Sequence, residues 1–169
     1  MQKSIDDLIR ENLRYIPDTG ELWWTKQNIN NSRILDVPIG RFDNVNYLNL
    51  EVTVNGKRKV LKAHRVAWFL YYGVWPEYEV DHINCNGTDN RISNLREATS
   101  KDNTKNKRPY KGCLSLYKGV SPSGKKWSAR ITFGKTIYLG LYETEVEAAI
   151  AYNKAALEYF GNFAKINVI

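Results

Sequence analysis

Residues 79–107 constrain the fold most strongly, because several short structural signals follow one another there. Two runs of strand-forming residues, 79–83 and 92–98, flank a segment dense in Asn, Gly, Asp and Thr, the residue types that favour turns. Thr99 stands three residues before Asp102, a spacing typical of a helix capping box. The order strand, long turn, strand and short helix to about residue 107 predicts a small α+β unit.

The N-terminal part predicts β-hairpins around this unit. A helix is expected over 4–13, with Ser4 as its cap. Turn formers then separate short strands at residues 17–20, and Asn55-Gly56 joins the strands 47–54 and 59–61. Residues 26–44 are polar and predicted as loop. A helix over 63–72 should end at Gly73 and bury Trp68, Phe69 and Tyr72.

The C-terminal part predicts a second α+β unit. Strands are expected over 117–120, 127–133 and 136–142, with a turn at 121–126. Thr144 and Glu147 form a second capping-box pattern, which opens a helix to Phe160. The domains expected are therefore residues 1–107, with hairpins over 1–62 and a core over about 63–107, a linker over 108–116, and residues 117–169.

Composition narrows the function classes. The chain has 169 residues, 43% of them hydrophobic, which permits a packed core and makes global disorder unexpected. No apolar run is long enough to span a membrane, and the N-terminus lacks the apolar segment of a secretory signal, so we expect a cytoplasmic protein. Cys85 and Cys113 form no zinc-type pair and are expected to be free thiols.

Positive charge is concentrated in one segment. The net charge is +7, and residues 101–142 contain ten Lys or Arg residues and one acidic residue, Asp102. A one-sided block of this kind favours a polyanionic partner, most commonly nucleic acid.

Asp81, His82 and Asn103 are the candidate catalytic residues. Hydrolysis of a phosphodiester requires a base for water, neutralisation of phosphate charge and stabilisation of the leaving oxygen. A histidine suits the first task, and a hard divalent cation held by carboxylate and amide oxygens suits the other two. Neighbouring residues on a regular strand point to opposite faces, so we expect the strand to twist or end at Asp81 and His82.

These residues lie in motifs that resemble the HNH endonuclease family, specifically its phage and intron homing branch. The motifs are Glu79-Val-Asp-His-Ile-Asn, Asp89-Asn-Arg-Ile-Ser-Asn-Leu-Arg and Ser100-Lys-Asp-Asn, with His64-Arg65, Trp68 and the hairpin Asp18-Thr19-Gly20 to Trp23-Trp24 upstream. The resemblance implies a ββα-metal core around one Mg²⁺ or Mn²⁺ ion and a bacterial host cell as the setting.

The resemblance also implies a role for each site residue. His82 corresponds to the general base, and Asp81 and Asn103 to the metal ligands. Asn103 departs from the histidine that the family's last letter denotes, which favours hard metals over soft ones. Asn94 corresponds to the Asn that braces the hairpin turn, with Asn90 as a competitor for that role. His64 is open between bracing the site and, with Arg65, contacting phosphate.

The C-terminal part resembles the Apetala-two/ethylene-response-factor (AP2/ERF) DNA-binding domain. Its motifs are Tyr117-Lys-Gly-Val, Lys126-Trp-Ser-Ala-Arg-Ile, Tyr138-Leu-Gly-Leu-Tyr, Thr144-Glu-Val-Glu-Ala-Ala and Ala151-Tyr-Asn-Lys-Ala-Ala. The resemblance implies a three-stranded sheet in the major groove, backed by a helix. Ser121, Arg130 and Thr132 differ from the usual plant residues, so a different base code is expected. The expected DNA contacts are Arg65, Lys105, Lys107, Arg108, Lys118, Lys125, Lys126, Trp127, Arg130, Thr132 and Lys135.

Taken together, the sequence predicts a site-specific endonuclease that nicks or cuts double-stranded DNA. We expect a monomer on DNA, with no membrane partner and no organic cofactor. The alternative is a sequence-specific DNA-binding regulator whose nuclease fold is inactive. A general coating protein fits poorly with two such ordered sets of motifs.

Overall fold

The structure is a computed structural model that describes residues 3–25, 38–43, 47–107 and 114–169. The chain forms two compact units, Met1–Ala98 and Thr99–Ile169. This division lies earlier than the expected boundary at residue 107. The short helix after Thr99 packs against the C-terminal turn Gly161–Phe163, which places it in the second unit. No helix among the described residues is long and apolar enough to cross a membrane.

The first unit opens with a capped helix and a hairpin. Helix α1 (Ile5–Asn12) begins with a capping box in which the side chains of Ser4 and Asp7 each accept a hydrogen bond from the other's backbone N–H. Strands β1 (Leu13–Ile16) and β2 (Glu21–Trp24) pair antiparallel. The helix and hairpin expected from the sequence are therefore confirmed.

A three-stranded sheet follows, with β4 (Leu48–Val54) between β3 (Arg41–Phe42) and β5 (Lys57–Lys62). The turn between β4 and β5 uses Asn55 and Gly56, whose φ angles of 50° and 74° are both positive. This is the backbone that an Asn-Gly hairpin turn requires. The sequence analysis did not predict strand β3, because its pairing with β4 leaves no local pattern in a segment of two residues.

Helix α2 (Ala63–Tyr72) packs on this sheet and ends at Gly73, as expected. The buried core of the unit combines residues from α1, the strands and α2, namely Ile9, Leu13, Leu22, Leu50, Val52, Val54, Ala63, Val66 and Phe69. Phe69 is fully buried, but Tyr72 is exposed, because it lies in the last turn of α2 and points away from this core. The prediction of Tyr72 as a core residue was therefore wrong.

The unit ends in the strand pair that carries the candidate site. Strand β6 (Glu79–His82) pairs antiparallel with β7 (Leu95–Ala98), and Asp81 lies opposite Arg96. The predicted strand over 92–98 begins instead as a 3-10 turn, Ile92–Asn94. Hydrogen bonds of Asn94 to the preceding loop hold this segment in a turn despite its strand-like residues.

The second unit contains α3 (Ser100–Lys105), an antiparallel sheet and α4 (Glu145–Phe160). The Thr99 side chain caps α3 by accepting a hydrogen bond from the Asp102 backbone, and Thr144 and Glu147 form the expected capping box of α4. Strands β8 (Val120–Ser123), β9 (Lys126–Phe133) and β10 (Lys135–Tyr142) lie in the order β10-β9-β8.

The position of β8 corrects the sequence prediction. Residues 117–119 precede the strand, and residues 121–123, predicted as turn, pair with β9. Gly119 has a φ of +75°, and a Cβ there would lie 2.1 Å from the Tyr152 ring, so an extended run cannot pass through it. The α4 alanines Ala148, Ala149 and Ala156 are buried and bring the helix close to the sheet, where Ala129 and Ile131 also form the core.

Candidate active site and nucleic-acid interface

Asp81 and His82 are the last two residues of β6 and are both buried, with 6% and 3% of their surface exposed. Their side chains have different partners, as strand alternation requires. Oδ2 of Asp81 accepts hydrogen bonds from Nε of Arg96 at 2.9 Å and from Nη2 at 2.7 Å. This cross-strand ion pair fixes the carboxylate next to the histidine.

His82 is held by Asn90. Nε2 of His82 lies 2.9 Å from Oδ1 of Asn90, whose residue is 1% exposed. A carboxamide oxygen only accepts hydrogen bonds, so this contact favours the tautomer in which Nε2 carries the proton. The lone pair of a neutral imidazole is then on Nδ1.

The β1–β2 hairpin holds Asn90 in turn. The Tyr15 hydroxyl donates to the Asn90 carbonyl at 2.7 Å, and the Ile92 N–H donates to the Pro17 carbonyl at 3.1 Å. Gly20 lies so close that an added Cβ would be 2.4 Å from the Arg91 nitrogen. The N-terminal hairpin thereby fixes the segment that orients His82.

The side chain of Asn94 contacts different groups from the side chain of Asn90. Its Nδ2 donates to Oδ1 of Asn84 at 3.1 Å and to the Asp89 carbonyl at 2.7 Å, and its Oδ1 accepts from the Asn84 N–H at 3.0 Å. These bonds close the loop between β6 and β7, which is the geometry of a residue that braces the turn. Asn90 contacts the imidazole, whereas Asn94 contacts the loop.

Three aromatic rings meet beside Asp81. The ring centroids of His64 and His82 are 5.0 Å apart, and the Tyr47 ring lies 5.5 Å from His64 and 5.6 Å from His82. Sequence reasoning had found both histidines but missed Tyr47. The alternating pattern of residues 47–54 predicts a strand, and it contains no signal for a contact with residues 17 and 35 positions later.

Burial keeps both histidines neutral. Burial, with a smaller contribution from the neighbouring His82, lowers the pKa of His64 to about 3. Burial also lowers the pKa of His82, against the opposing effects of the Asn90 hydrogen bond and the Asp81 carboxylate. A neutral imidazole is the form that can accept a proton.

Asn103 lies in α3 of the second unit, where its N–H donates to the Thr99 carbonyl at 2.9 Å. The described residues contain no cluster of three or more His, Cys, Asp or Glu side chains that could hold a metal. The chemistry of a carboxylate and an amide oxygen fits Mg²⁺ or Mn²⁺, because Mg²⁺ commonly takes one or two protein oxygens and fills its other positions with water and phosphate.

In the second unit, β9 presents polar residues on its outer side. Lys126, Arg130 and Thr132 are exposed at alternating positions, and Tyr138 of β10 lies opposite Arg130. Lys126 also pairs with Glu143. Trp127 is half-buried and packs with the core around Ala129, so it faces away from this row.

Some of the remaining predicted DNA contacts are exposed, and others form hydrogen bonds or ion pairs within the protein. Lys107, Lys125 and Lys135 are exposed, and Arg108 lies outside the described residues. Arg65 donates to the Tyr78 carbonyl at 3.0 Å and to the Pro76 carbonyl at 3.3 Å. Lys105 pairs with Asp102 at 2.7 Å, and Lys118 donates to the Lys105 carbonyl.

The exposed basic residues of β5 were not among the sequence-based candidates. Lys57, Arg58 and Lys59 are exposed beside the Asn55-Gly56 turn, and Arg58 pairs with Glu51. Three consecutive basic residues in the sequence could have identified them, but this run was interpreted only as part of a strand.

Comparison with known proteins finds similarity to two different families. Residues 61–105 match the family model described as HNH endonuclease. Over 59 residues the chain is 49% identical to an AP2-like ethylene-responsive transcription factor and 48% identical to the ethylene-responsive transcription factor WRI1, both of Arabidopsis thaliana. Each match covers 32% of this chain but only 17% and 14% of the plant proteins. The recognition of an HNH segment and an AP2-like segment is therefore confirmed.

One solved structure is also similar. The HNH homing endonuclease I-HmuI, in a structure that describes its DNA binding and cleavage, aligns with a TM-score of 0.43 and 24% identity. The alignment covers 56% of this chain and 51% of that chain, so this chain spans about half of its length.

Proposed function

We propose that this protein is a metal-dependent DNA endonuclease in which His82 activates water and the second unit binds double-stranded DNA. One observation carries the proposal. A buried, neutral imidazole is fixed by Asn90 at 2.9 Å beside the Asp81 carboxylate, within the segment that matches the HNH endonuclease family.

In this proposal His82 is the general base. Its Nε2 proton is held by Oδ1 of Asn90, so Nδ1 accepts the proton of the attacking water. The lowered pKa of His82 supports this role, because the imidazole stays unprotonated at neutral pH and can accept a proton. Asn90 orients the ring and stabilises the imidazolium that forms.

Asp81 and Asn103 are the proposed ligands of one Mg²⁺ or Mn²⁺ ion. A bound ion of this kind would neutralise charge on the phosphate and stabilise the leaving oxygen. Arg96 holds the Asp81 carboxylate in one orientation through its two hydrogen bonds. Asn103 contributes an uncharged amide oxygen, which leaves the net charge of the ligand set at minus one.

DNA binding is assigned to basic surfaces of both units. In the second unit the exposed residues Lys126, Arg130 and Thr132 on β9 would face the DNA groove. In the first unit, the exposed β5 residues Lys57 and Lys59 add phosphate contacts. We assign cleavage to residues 1–107 and recognition to residues 117–169, in a monomer that cuts one strand at a time.

Plasmid cleavage with purified full-length protein tests the metal-ion part of this proposal. We expect cleavage in Mg²⁺, none in EDTA, and a loss of about 100-fold or more for Asp81→Ala and Asn103→Ala. Thr104→Ala is the matched control, because Thr104 is the exposed neighbour of Asn103 on the same helix. Full activity of Asn103→Ala would remove this residue from the ligand set. Specific DNA binding without cleavage by the wild type would favour the inactive regulator.

A further inference from the structure

Tyr47 lies immediately before β4, and its backbone is fixed on both sides. Its N–H donates to Oδ1 of Asp43 at 2.8 Å, and its carbonyl accepts from the Asp43 N–H at 2.9 Å. Asp43 also pairs with Lys62 at 2.5 Å, and the Lys62 ammonium lies 5.4 Å from the Tyr47 ring centroid. These contacts hold the backbone at Tyr47, whose ring lies next to both histidines.

The Tyr47 ring, like the His64 ring, contacts the His82 imidazole. It contacts His82 at an interplanar angle of 48° and His64 at 62°, while the two imidazoles meet edge to face at 86°. Each ring therefore limits the rotation of the other two. His82 is held by Asn90 through its Nε2 atom and by Tyr47 and His64 through its ring.

The Tyr47 hydroxyl is a hydrogen-bond donor near the reacting groups. Burial raises the pKa of Tyr47, and the Asp81 carboxylate raises it further, so the phenol stays protonated. Among the described residues, none forms a hydrogen bond with this hydroxyl. A half-buried neutral donor beside a base and a carboxylate is suited to bind an anionic oxygen.

We propose that Tyr47 is a further catalytic residue, whose hydroxyl donates a hydrogen bond to a non-bridging oxygen of the scissile phosphate while its ring holds His82 in position. The proposal rests on the proposed endonuclease function. The hydroxyl acts on the phosphate and the ring acts on His82, and a substitution can separate the two roles. Phenylalanine retains the ring and removes only the hydroxyl.

Single-turnover cleavage of plasmid DNA by a saturating excess of the full-length protein, with Mg²⁺, tests this assignment. We expect Tyr47→Phe to cut about 10- to 100-fold more slowly with a DNA dissociation constant within about twofold of the wild type. Tyr47→Leu, which also removes the ring, should be slower still. Tyr71→Phe is the matched control, because Tyr71 is an exposed tyrosine of the same unit, and it should cut at the wild-type rate.

Each outcome has a separate meaning. A wild-type rate for Tyr47→Phe overturns the proposal and leaves the endonuclease function intact. A weaker DNA affinity with an unchanged rate at saturation also overturns it, because the hydroxyl would then act in binding alone. An inactive wild-type protein contradicts the endonuclease function itself, and the role of Tyr47 falls with it. Circular dichroism melting of each variant separates a slow enzyme from an unfolded one.

Discussion

Nε2 of His82 lies 2.9 Å from Oδ1 of Asn90, and the carbonyl of the same Asn90 accepts the Tyr15 hydroxyl at 2.7 Å. A single buried asparagine thus joins the candidate general base to the N-terminal hairpin. The side chain sets the orientation of the imidazole, and the backbone is held by residues some 75 positions away in the sequence. The hairpin therefore contributes to the site without contacting its reacting atoms.

The first prediction concerns this asparagine. Asn90→Ala removes the acceptor for the Nε2 proton, and we expect single-turnover cleavage to slow by about 10- to 100-fold, as for other residues that orient a catalytic group. DNA affinity should be unchanged. Asn90→Asp retains an acceptor oxygen and should lose less activity. If both variants cut at the wild-type rate, Asn90 does not position His82.

The second prediction concerns Gly20 and uses Gly56 as its control. Both have positive φ angles, 79° and 74°, but a Cβ on Gly20 would lie 2.4 Å from the Arg91 nitrogen, whereas one on Gly56 meets nothing within 4 Å. Gly56→Ala should cost about 1 kcal/mol for the backbone conformation alone. Gly20→Ala should cost about 3 kcal/mol in the free energy of unfolding, measured with urea. Equal losses in the free energy of unfolding would show that Gly20 is not in close contact with the segment that contains Asn90.

The third prediction concerns pH and His64. Its pKa is lowered from 6.5 to about 3 in the folded protein, chiefly by burial, so the unfolded chain binds the proton more tightly. Above pH 6.5 His64 is neutral in both states and the free energy of unfolding keeps its full value. As the pH falls from 6.5 towards 3, the unfolded chain takes up the proton first and the free energy of unfolding decreases. At pH 5 the loss from this group should be about 2 kcal/mol. His64→Gln should show a shallower decline between pH 6.5 and pH 5. An identical decline in the free energy of unfolding of the wild type and His64→Gln would contradict the lowered pKa of His64.

The fourth prediction concerns base recognition by β9. Arg130 is exposed on the outer side of the strand, opposite Tyr138. We expect Arg130→Ala to weaken binding to the cognate DNA by about 1–3 kcal/mol and to affect random DNA less. Lys125→Ala, at the exposed turn before β9, should weaken both equally. A uniform loss for Arg130→Ala, measured by fluorescence anisotropy, would make Arg130 a phosphate contact.

The sequence predicted those parts of the fold that local signals determine. The Asn55-Gly56 turn, the Ser4 and Thr144 caps and the Gly73 stop all appear where their chemistry requires them. Strand β8 and the turn at Ile92–Asn94 were placed wrongly, because pairing with β9 and the hydrogen bonds of Asn94 override local preference.

The candidate site shows the same limit. Asp81 and His82 could be found from their motif, and Asn90 was already a candidate, but its contact with the imidazole could not be derived. Tyr47 reaches His64 of α2 and His82 of β6 only through tertiary contacts. Contacts of this kind depend on distant residues, and no spacing in the sequence specifies them.

The central claim is that His82 is the general base of a metal-dependent DNA endonuclease. The most direct test compares cleavage of plasmid DNA in Mg²⁺ by the wild type and by His82→Ala, with DNA binding measured for both. We expect the wild type to cut and His82→Ala to be slower by about 100- to 10,000-fold at unchanged DNA affinity. Equal metal-dependent cleavage by the two proteins would contradict the assignment of His82 as the base.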